Sequence, residues 1–553
     1  MNWFWFGSIT KEHPDIAEHV HRGTVPGNRP QIKELPNFSE RVYRILFFVI
    51  LCVFSFLLFY RVNKIPIPYH VDEAGMVYDA GSLAAHGTDR WGYHFPIYLI
   101  NYGGGQSALY MYLAAAAISM FGDSVVTVRL PAIMCSLLSA AVFGLLVRRE
   151  SGRFASLISL GVFCLLPFSI MHSRWGLDAY LLFPMLIFSC AAFYGAVKRG
   201  KYGWFVLAGC LFGITLYSYA VSYILVPAFL GVMLVFLLVK GKITGKQIMA
   251  LLAPVTLLAV PLILLLAVNN GLMEEIRTPY FSVPKLFAYR GSEFSLGNIL
   301  GNLKPGKGNI FYNIFVWDGL IYNVIPKFGT LYYFTIPLLV LGLFLCMRGC
   351  VDDVREGVLS LNLPVCVLFA VSFGIQLLLP YSNVNRACAV YFPLIYFLTV
   401  GFVRVFRWNR IAGTVCCGIY ALFALTFVRY YFTEFPLELA GELSITEVQD
   451  LEQALDYAEE INQDDEPITV YGLSQPYLYT LLVKGIDPKT FREAAEMKEG
   501  AVVSIGNYQF DPGEISTNRV YLLRTNGWVP YELREDGFVT ENFGTVTVYS
   551  GRQ

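Results

Sequence analysis

Eleven apolar stretches, at residues 45–60, 125–147, 154–171, 179–197, 202–218, 221–239, 248–268, 331–347, 361–380, 387–403 and 411–428, occupy much of this 553-residue chain. Most come close to the ~20 residues a helix needs to cross a bilayer core. Only 15% of the residues are charged and 56% are hydrophobic, whereas soluble domains carry about 25% charge. A string of soluble domains is excluded. The expected fold class is a polytopic α-helical membrane protein of about eleven transmembrane helices, followed by a soluble α/β domain.

The net charge of zero conceals a division. Residues 430–553 hold 22 acidic against 8 basic side chains, and residues 1–429 hold 33 basic against 19 acidic. The acidic tail reads as an ordinary soluble domain, with a helix over 446–461, a strand at 468–471, a helix near 476–484, and strands near 501–505, 519–523 and 545–549. All eleven cysteines fall in or beside the apolar stretches, as small packing residues do. No disulfide framework or zinc-type CxxC pair is visible. The expected division is a cytoplasmic segment 1–42, a membrane domain 43–430 and an extracytoplasmic domain 431–553.

Basic residues set the expected orientation. Arg148, Arg149 and Arg153, then Lys198, Arg199 and Lys201, Lys240, Lys242 and Lys246, Arg348 and Arg355, and Arg404, Arg407 and Arg410 mark alternate turns. The intervening short turns hold only Arg174 and Arg386. A multi-pass protein of the plasma membrane is predicted, its N-terminus cytoplasmic and its acidic domain outside. The first stretch then anchors the chain instead of serving as a cleaved leader. Two long loops, 62–124 and 269–330, fall on the outer face, and helical patterns at 73–86 and 106–121 lie within the first.

The first outer loop opens with His70-Val71-Asp72-Glu73. An acidic pair of this kind suits the first turn of a helix, and it also suits a site that must take up a proton. The surrounding residues favour the second use. They continue through Gly75, Tyr78-Asp79-Ala80, Arg90-Trp91-Gly92, Tyr102-Gly103, Gln106, Tyr110, Tyr112, Phe121-Gly122 and Arg129-Leu130-Pro131. Ser173-Arg174-Trp175-Gly176-Leu177-Asp178, Tyr217-Ser218-Tyr219 and Asn385-Arg386-Ala387 follow in order. This succession resembles the protein O-mannosyltransferase and aminoarabinose transferase family, membrane glycosyltransferases of the GT-C fold that use polyprenyl-phosphate-linked sugars.

The resemblance implies an inverting glycosyltransferase, moving sugar from a polyprenyl-phosphate donor to an extracytoplasmic protein, cell-wall polymer or lipid-linked glycan. It puts the catalytic base at Asp72, with Glu73 beside it. Arg174, Arg386 and Arg129 become candidates for the lipid phosphate, with Asp178, His70, His94 and Tyr102 as further substrate-binding residues. Lys304, Lys307 and Lys327 are lesser candidates. Arg174 equally suits an ion pair with Asp178 four residues on. No cofactor is expected, because His70 and Asp72 fall short of the three or four ligands of a typical zinc site; a divalent cation is the alternative. A lipid-sugar flippase or transporter is the competing function. It would place ionisable residues at mid-membrane in two repeated halves, and neither feature is seen.

Overall fold

The computed structural model describes residues 35–551, apart from 68, 102–103, 288–294, 305–308, 443–447, 463–465, 499, 512 and 535–536. Helix α1 (Glu40–Phe59) starts at Ser39, whose hydroxyl accepts Val42 N–H at 3.3 Å. Helices α2 (Val71–His86) and α3 (Leu109–Phe121) lie in the first long loop. Helix α4 (Val125–Leu165) is two helices joined at Gly152, whose φ of 85° is open to glycine at little cost. Short α5 (Pro167–His172) leads into α6 (Asp178–Arg199), α7 (Tyr202–Thr215), α8 (Ser222–Val239) and α9 (Gly245–Asn269). Beyond the second long loop, which holds α10 (Asn298–Leu303) and α11 (Ile310–Phe315), come α12 (Ile336–Glu356), α13 (Asn362–Leu378), α14 (Tyr391–Trp408) and α15 (Arg410–Thr433).

Each of the eleven apolar stretches falls largely on helix, with 125–147 on the first arm of α4 and 154–171 running from its second arm into α5. Among the described residues, eight helices are long and apolar enough to cross a membrane, while α7 and α13 are shorter. Helices α12 and α14 touch through backbone: a Cβ on Gly342 would stand 1.7 Å from the Phe397 carbonyl oxygen, and one on Gly401 2.1 Å from that of Leu338. Any larger residue there would push the pair apart.

Residues 106–107 depart from the expected helix. They form strand β2 (Gln106–Ser107), antiparallel to β1 (Tyr98–Leu99), and α3 begins only at Leu109. The two long loops are tied together. Ile97 N–H donates to the Ser282 carbonyl at 3.0 Å, and the Tyr93 hydroxyl to Glu275 at 2.7 Å. Strands β3 (Ile276–Arg277) and β4 (Ser282–Val283) pair in the second loop.

After α16 (Phe435–Glu442), the tail forms a seven-stranded sheet of order β10-β11-β9-β5-β8-β7-β6. Its strands are β5 (Ile468–Tyr471), β6 (Ala495–Lys498), β7 (Ala501–Ile505), β8 (Tyr508–Gln509), β9 (Tyr521–Arg524), β10 (Phe538–Phe543) and β11 (Val546–Gly551). Central β5 runs parallel to β9 and β8 and is covered by α17 (Val448–Ile461) and α18 (Pro476–Val483). Helix α19 (Pro488–Ala494) follows. Burial explains the order: Ile468 and Val470 are enclosed, as suits a central strand.

Candidate functional site

The acidic pair is split by its helix. His70 caps α2, its Nδ1 accepting Asp72 N–H at 3.1 Å, while Glu73 Oε2 accepts His70 N–H at 3.3 Å. This reciprocal cap satisfies two free donors of the first turn. It also sends the two carboxylates in different directions. The Asp72 side chain is 40% exposed, and that of Glu73 is 0% exposed.

Glu73 lies inside a buried clasp. Arg129 donates from Nε to its Oε1 at 2.8 Å and from Nη2 to its Oε2 at 2.7 Å. Gly176 N–H adds a third bond to Oε1 at 2.7 Å. The remaining Arg129 donors go to the carbonyls of Val62, Pro66 and Ile67, and Trp175 lies 5.1 Å from the guanidinium. Gly176 must be glycine, because a Cβ there would stand 2.8 Å from Glu73 Oε1.

This geometry corrects two expectations. Arg129 has every N–H engaged by protein oxygens and none left for a donor phosphate, and Glu73 is its enclosed counter-ion, not a carboxylate placed beside Asp72 for catalysis. Arg174 is corrected likewise. Its Nη1 donates to the carbonyls of Leu57 (2.5 Å) and Leu58 (2.7 Å), and its Nη2 to those of Tyr60 (2.8 Å) and Ile65 (2.5 Å). It thus caps the end of α1, where a cation suits the helix dipole, and it does not pair with Asp178.

Asp178 instead faces the first loop. It accepts Ser107 N–H at 2.9 Å and Gln106 Nε2 at 3.3 Å, so β2 holds it in place. Asp72 lies within electrostatic reach of Asp178 and of Tyr180. The Tyr180 hydroxyl donates to Asn323 Oδ1 at 2.8 Å, and Asn323 Nδ2 donates to Asp318 Oδ2 at 2.7 Å. That oxygen also accepts Val384 N–H at 3.0 Å. Burial raises the Asp318 carboxyl above its ordinary range.

Through this chain α6, the second long loop and the 381–386 turn meet beside Asp72. Arg386 is on that turn. Its guanidinium lies 4.3 Å over the Tyr381 ring, and its carbonyl accepts Gln376 Nε2 at 2.8 Å. It shares with Asp178 an electrostatic reach to Tyr219. Asp72 is therefore within reach of Asp178, and Arg386 meets Asp178 through Tyr219, a residue of the motif succession; Tyr180, Asp318 and Asn323 are neighbours that single-chain reading did not select.

His70 is enclosed against Tyr322, with ring centroids 4.4 Å apart. Burial pushes its imidazole down to about 4, so it is neutral at physiological pH and caps the helix as an acceptor. His94 is exposed and bridges Thr88, just past the far end of α2. Fourteen helical residues at ~1.5 Å each put that end roughly 20 Å from Asp72, which corrects its assignment to the site. Tyr102 and Lys307 lie outside the described residues. Lys304 is exposed, and Lys327 rests 4.7 Å from the Tyr430 ring. Among the described residues, no group of three His, Cys, Asp or Glu is placed to hold a metal ion.

A helical bundle with two long loops, followed by a sheet-containing tail, is the architecture of a membrane protein of the GT-C fold, and comparison with solved structures shows that fold in this chain. Residues 106–266 match the family model described as dolichyl-phosphate-mannose-protein mannosyltransferase. Both findings bear out the resemblance read from the sequence. The crystal structure of ArnT from Cupriavidus metallidurans in the apo state superposes with a TM-score of 0.53 at 14% identity, covering 93% of this chain and 99% of that one. ArnT bound to undecaprenyl phosphate gives 0.53 at 12% identity, with 93% and 100% covered. The Archaeoglobus fulgidus oligosaccharyltransferase matches at 0.45 and 12% identity, over 82% of this chain and 64% of that one. Comparison with curated proteins gives no match.

Proposed function

We propose that the protein is an inverting glycosyltransferase that moves a sugar from a polyprenyl-phosphate donor to an acceptor at the outer membrane face, with Asp72 as base. The observation that carries this reading is the split of the acidic pair. The Asp72 side chain is 40% exposed and within electrostatic reach of Asp178, while Glu73 is enclosed against Arg129. An acceptor hydroxyl becomes nucleophilic as Asp72 takes its proton. Its oxygen then forms the new bond to the anomeric carbon, opposite the phosphate. The carbon–oxygen bond to phosphate breaks with its electron pair, and polyprenyl phosphate leaves as an anion. Ligands of ArnT support the choice of donor, since that fold neighbour has been crystallised with undecaprenyl phosphate.

Arg386 is the side chain proposed to meet the phosphate, and Asp178 to orient the acceptor or sugar. Losing a charge-assisted hydrogen bond costs about 1.5–3 kcal/mol, so Arg386→Ala weakens donor binding roughly ten- to a hundredfold. Binding of purified protein to a polyprenyl-phosphate sugar in detergent measures this, and unchanged affinity removes Arg386 from the site. The test of the whole reading is mass spectrometry of lipid retained through purification. A polyprenyl-phosphate sugar supports it; retention of an unrelated solute in its place rejects it.

The proposed topology has the N-terminus cytoplasmic and the tail outside, as the alternating basic turns require. A cysteine placed after residue 440 is then labelled by impermeant reagent in intact cells. Labelling only after lysis would reverse the assignment. The tail stands beside the site, and it serves acceptor recognition or shielding.

A further inference from the structure

A cavity of about 340 Å³ opens at the end of the bundle opposite Asp72. The helix directions define that end. The elbow of α4 at Gly152, the start of α1, the start of α13 and the last turns of α12 and α14 all lie there, whereas Arg129 and Arg386 mark the other. Arg148 and Arg153 confirm it by pairing with Glu40 at 2.7 and 3.1 Å.

The cavity is lined by Glu150, Ser360, Asn362, Tyr396, Arg404 and Arg407, with apolar side chains from α4, α12 and α14 beside them. Arg404 and Arg407 are three residues apart on α14 and share one face. They are half-buried, and each lies within reach of the other's charge. Neither guanidinium has a hydrogen bond or ion pair among the described residues.

The acids nearby form no ion pair with them among the described residues. Glu150 accepts the Tyr194 hydroxyl, and Asp353 accepts the Ser360 hydroxyl at 2.6 Å. Glu40 is taken by Arg44, Arg148 and Arg153. Two like charges held together in a partly desolvated cavity repel unless an anion lies between them. Arginine forks match phosphate oxygens in pairs, and basic pockets between membrane helices suit anionic headgroups. Val147, Val400 and Val403 supply an apolar wall for the adjoining acyl chains.

We propose that this cavity binds the phosphate headgroup of an anionic phospholipid in the leaflet opposite the one Asp72 faces. The site is separate from the transferase reading and stands whether or not that reading holds. The shared chemistry is a phosphate anion, and the experiment separates lipid from free phosphate.

Delipidated full-length protein in detergent is titrated with phosphatidylglycerol, with phosphatidylcholine of the same acyl chains, or with inorganic phosphate, and bound adducts are read by native mass spectrometry. The tightest phosphatidylglycerol adduct is expected to form at least tenfold more readily than the phosphatidylcholine one. At about fivefold per basic residue, Arg404→Gln with Arg407→Gln weakens it roughly twentyfold. Arg404→Lys with Arg407→Lys retains it within about threefold. Equal binding of the two lipids, or full retention in the Gln pair, overturns the site. If the Gln pair fails to fold, loss of lipid preference in the folded Lys pair overturns it instead. Displacement of phosphatidylglycerol by millimolar inorganic phosphate overturns the lipid assignment in favour of free phosphate.

Discussion

Replacing Asp72 by Asn is expected to lower turnover at least a hundredfold while the protein stays folded and binds donor as before. General-base contributions run to about 10²–10⁴, and the substitution keeps shape and hydrogen bonding but removes the proton acceptor. The half-exposed position of Asp72 makes the change inexpensive to the fold. Donor affinity separates loss of the base from loss of the site. The configuration of the product adds a second check, since one displacement inverts the anomeric centre. Full turnover in Asp72→Asn, or a product with retained configuration, removes Asp72 from the role of base.

The second large effect is on stability. Glu73→Gln leaves the Arg129 guanidinium enclosed without its counter-charge, and breaking a buried pair from one side costs about 3–5 kcal/mol. The unfolding midpoint, followed by tryptophan fluorescence in a fixed detergent, is expected to fall well below that of Asp72→Asn. Glu73→Leu combined with Arg129→Met, which removes both charges, is expected to recover part of the loss. A Glu73→Gln protein as stable as the parent would contradict the clasp. The sequence alone places Glu73 only beside Asp72, because the directions of adjacent side chains are set by the fold.

What could be read from the chain depended on how far apart the partners lie. The strands at 468–471 and 501–505 were legible because short β-rich runs bounded by turn residues declare themselves locally. Their counterparts β6, β8 and β10, whose patterns are short or more polar, were not selected. Arg174 illustrates the limit. A lone arginine in an apolar turn satisfies either a phosphate or a row of carbonyls, and the carbonyls it caps lie 109–117 residues earlier. Arg129 and Glu73 are 56 residues apart. Asp72 was legible because its place at a helix start after a membrane span is local. Asp318 and Asn323 were not, because only folding brings them to Tyr180.

The helix that begins with His70 is also held from far down the chain. The Tyr479 hydroxyl donates to the Tyr69 carbonyl across 410 residues, and that of Tyr78 to the Ile486 carbonyl across 408. Arg90, paired with Asp79 at 2.7 Å, donates to the Tyr477 hydroxyl at 3.3 Å. At translation rates of about 5–20 residues per second, the wall of α2 arrives roughly 20–80 s after α2 itself. During that interval the acidic loop waits without the surface that seats it. A prematurely terminated chain therefore keeps the carboxylate but lacks its seat, so completion of synthesis acts as a checkpoint on the assembly of the site.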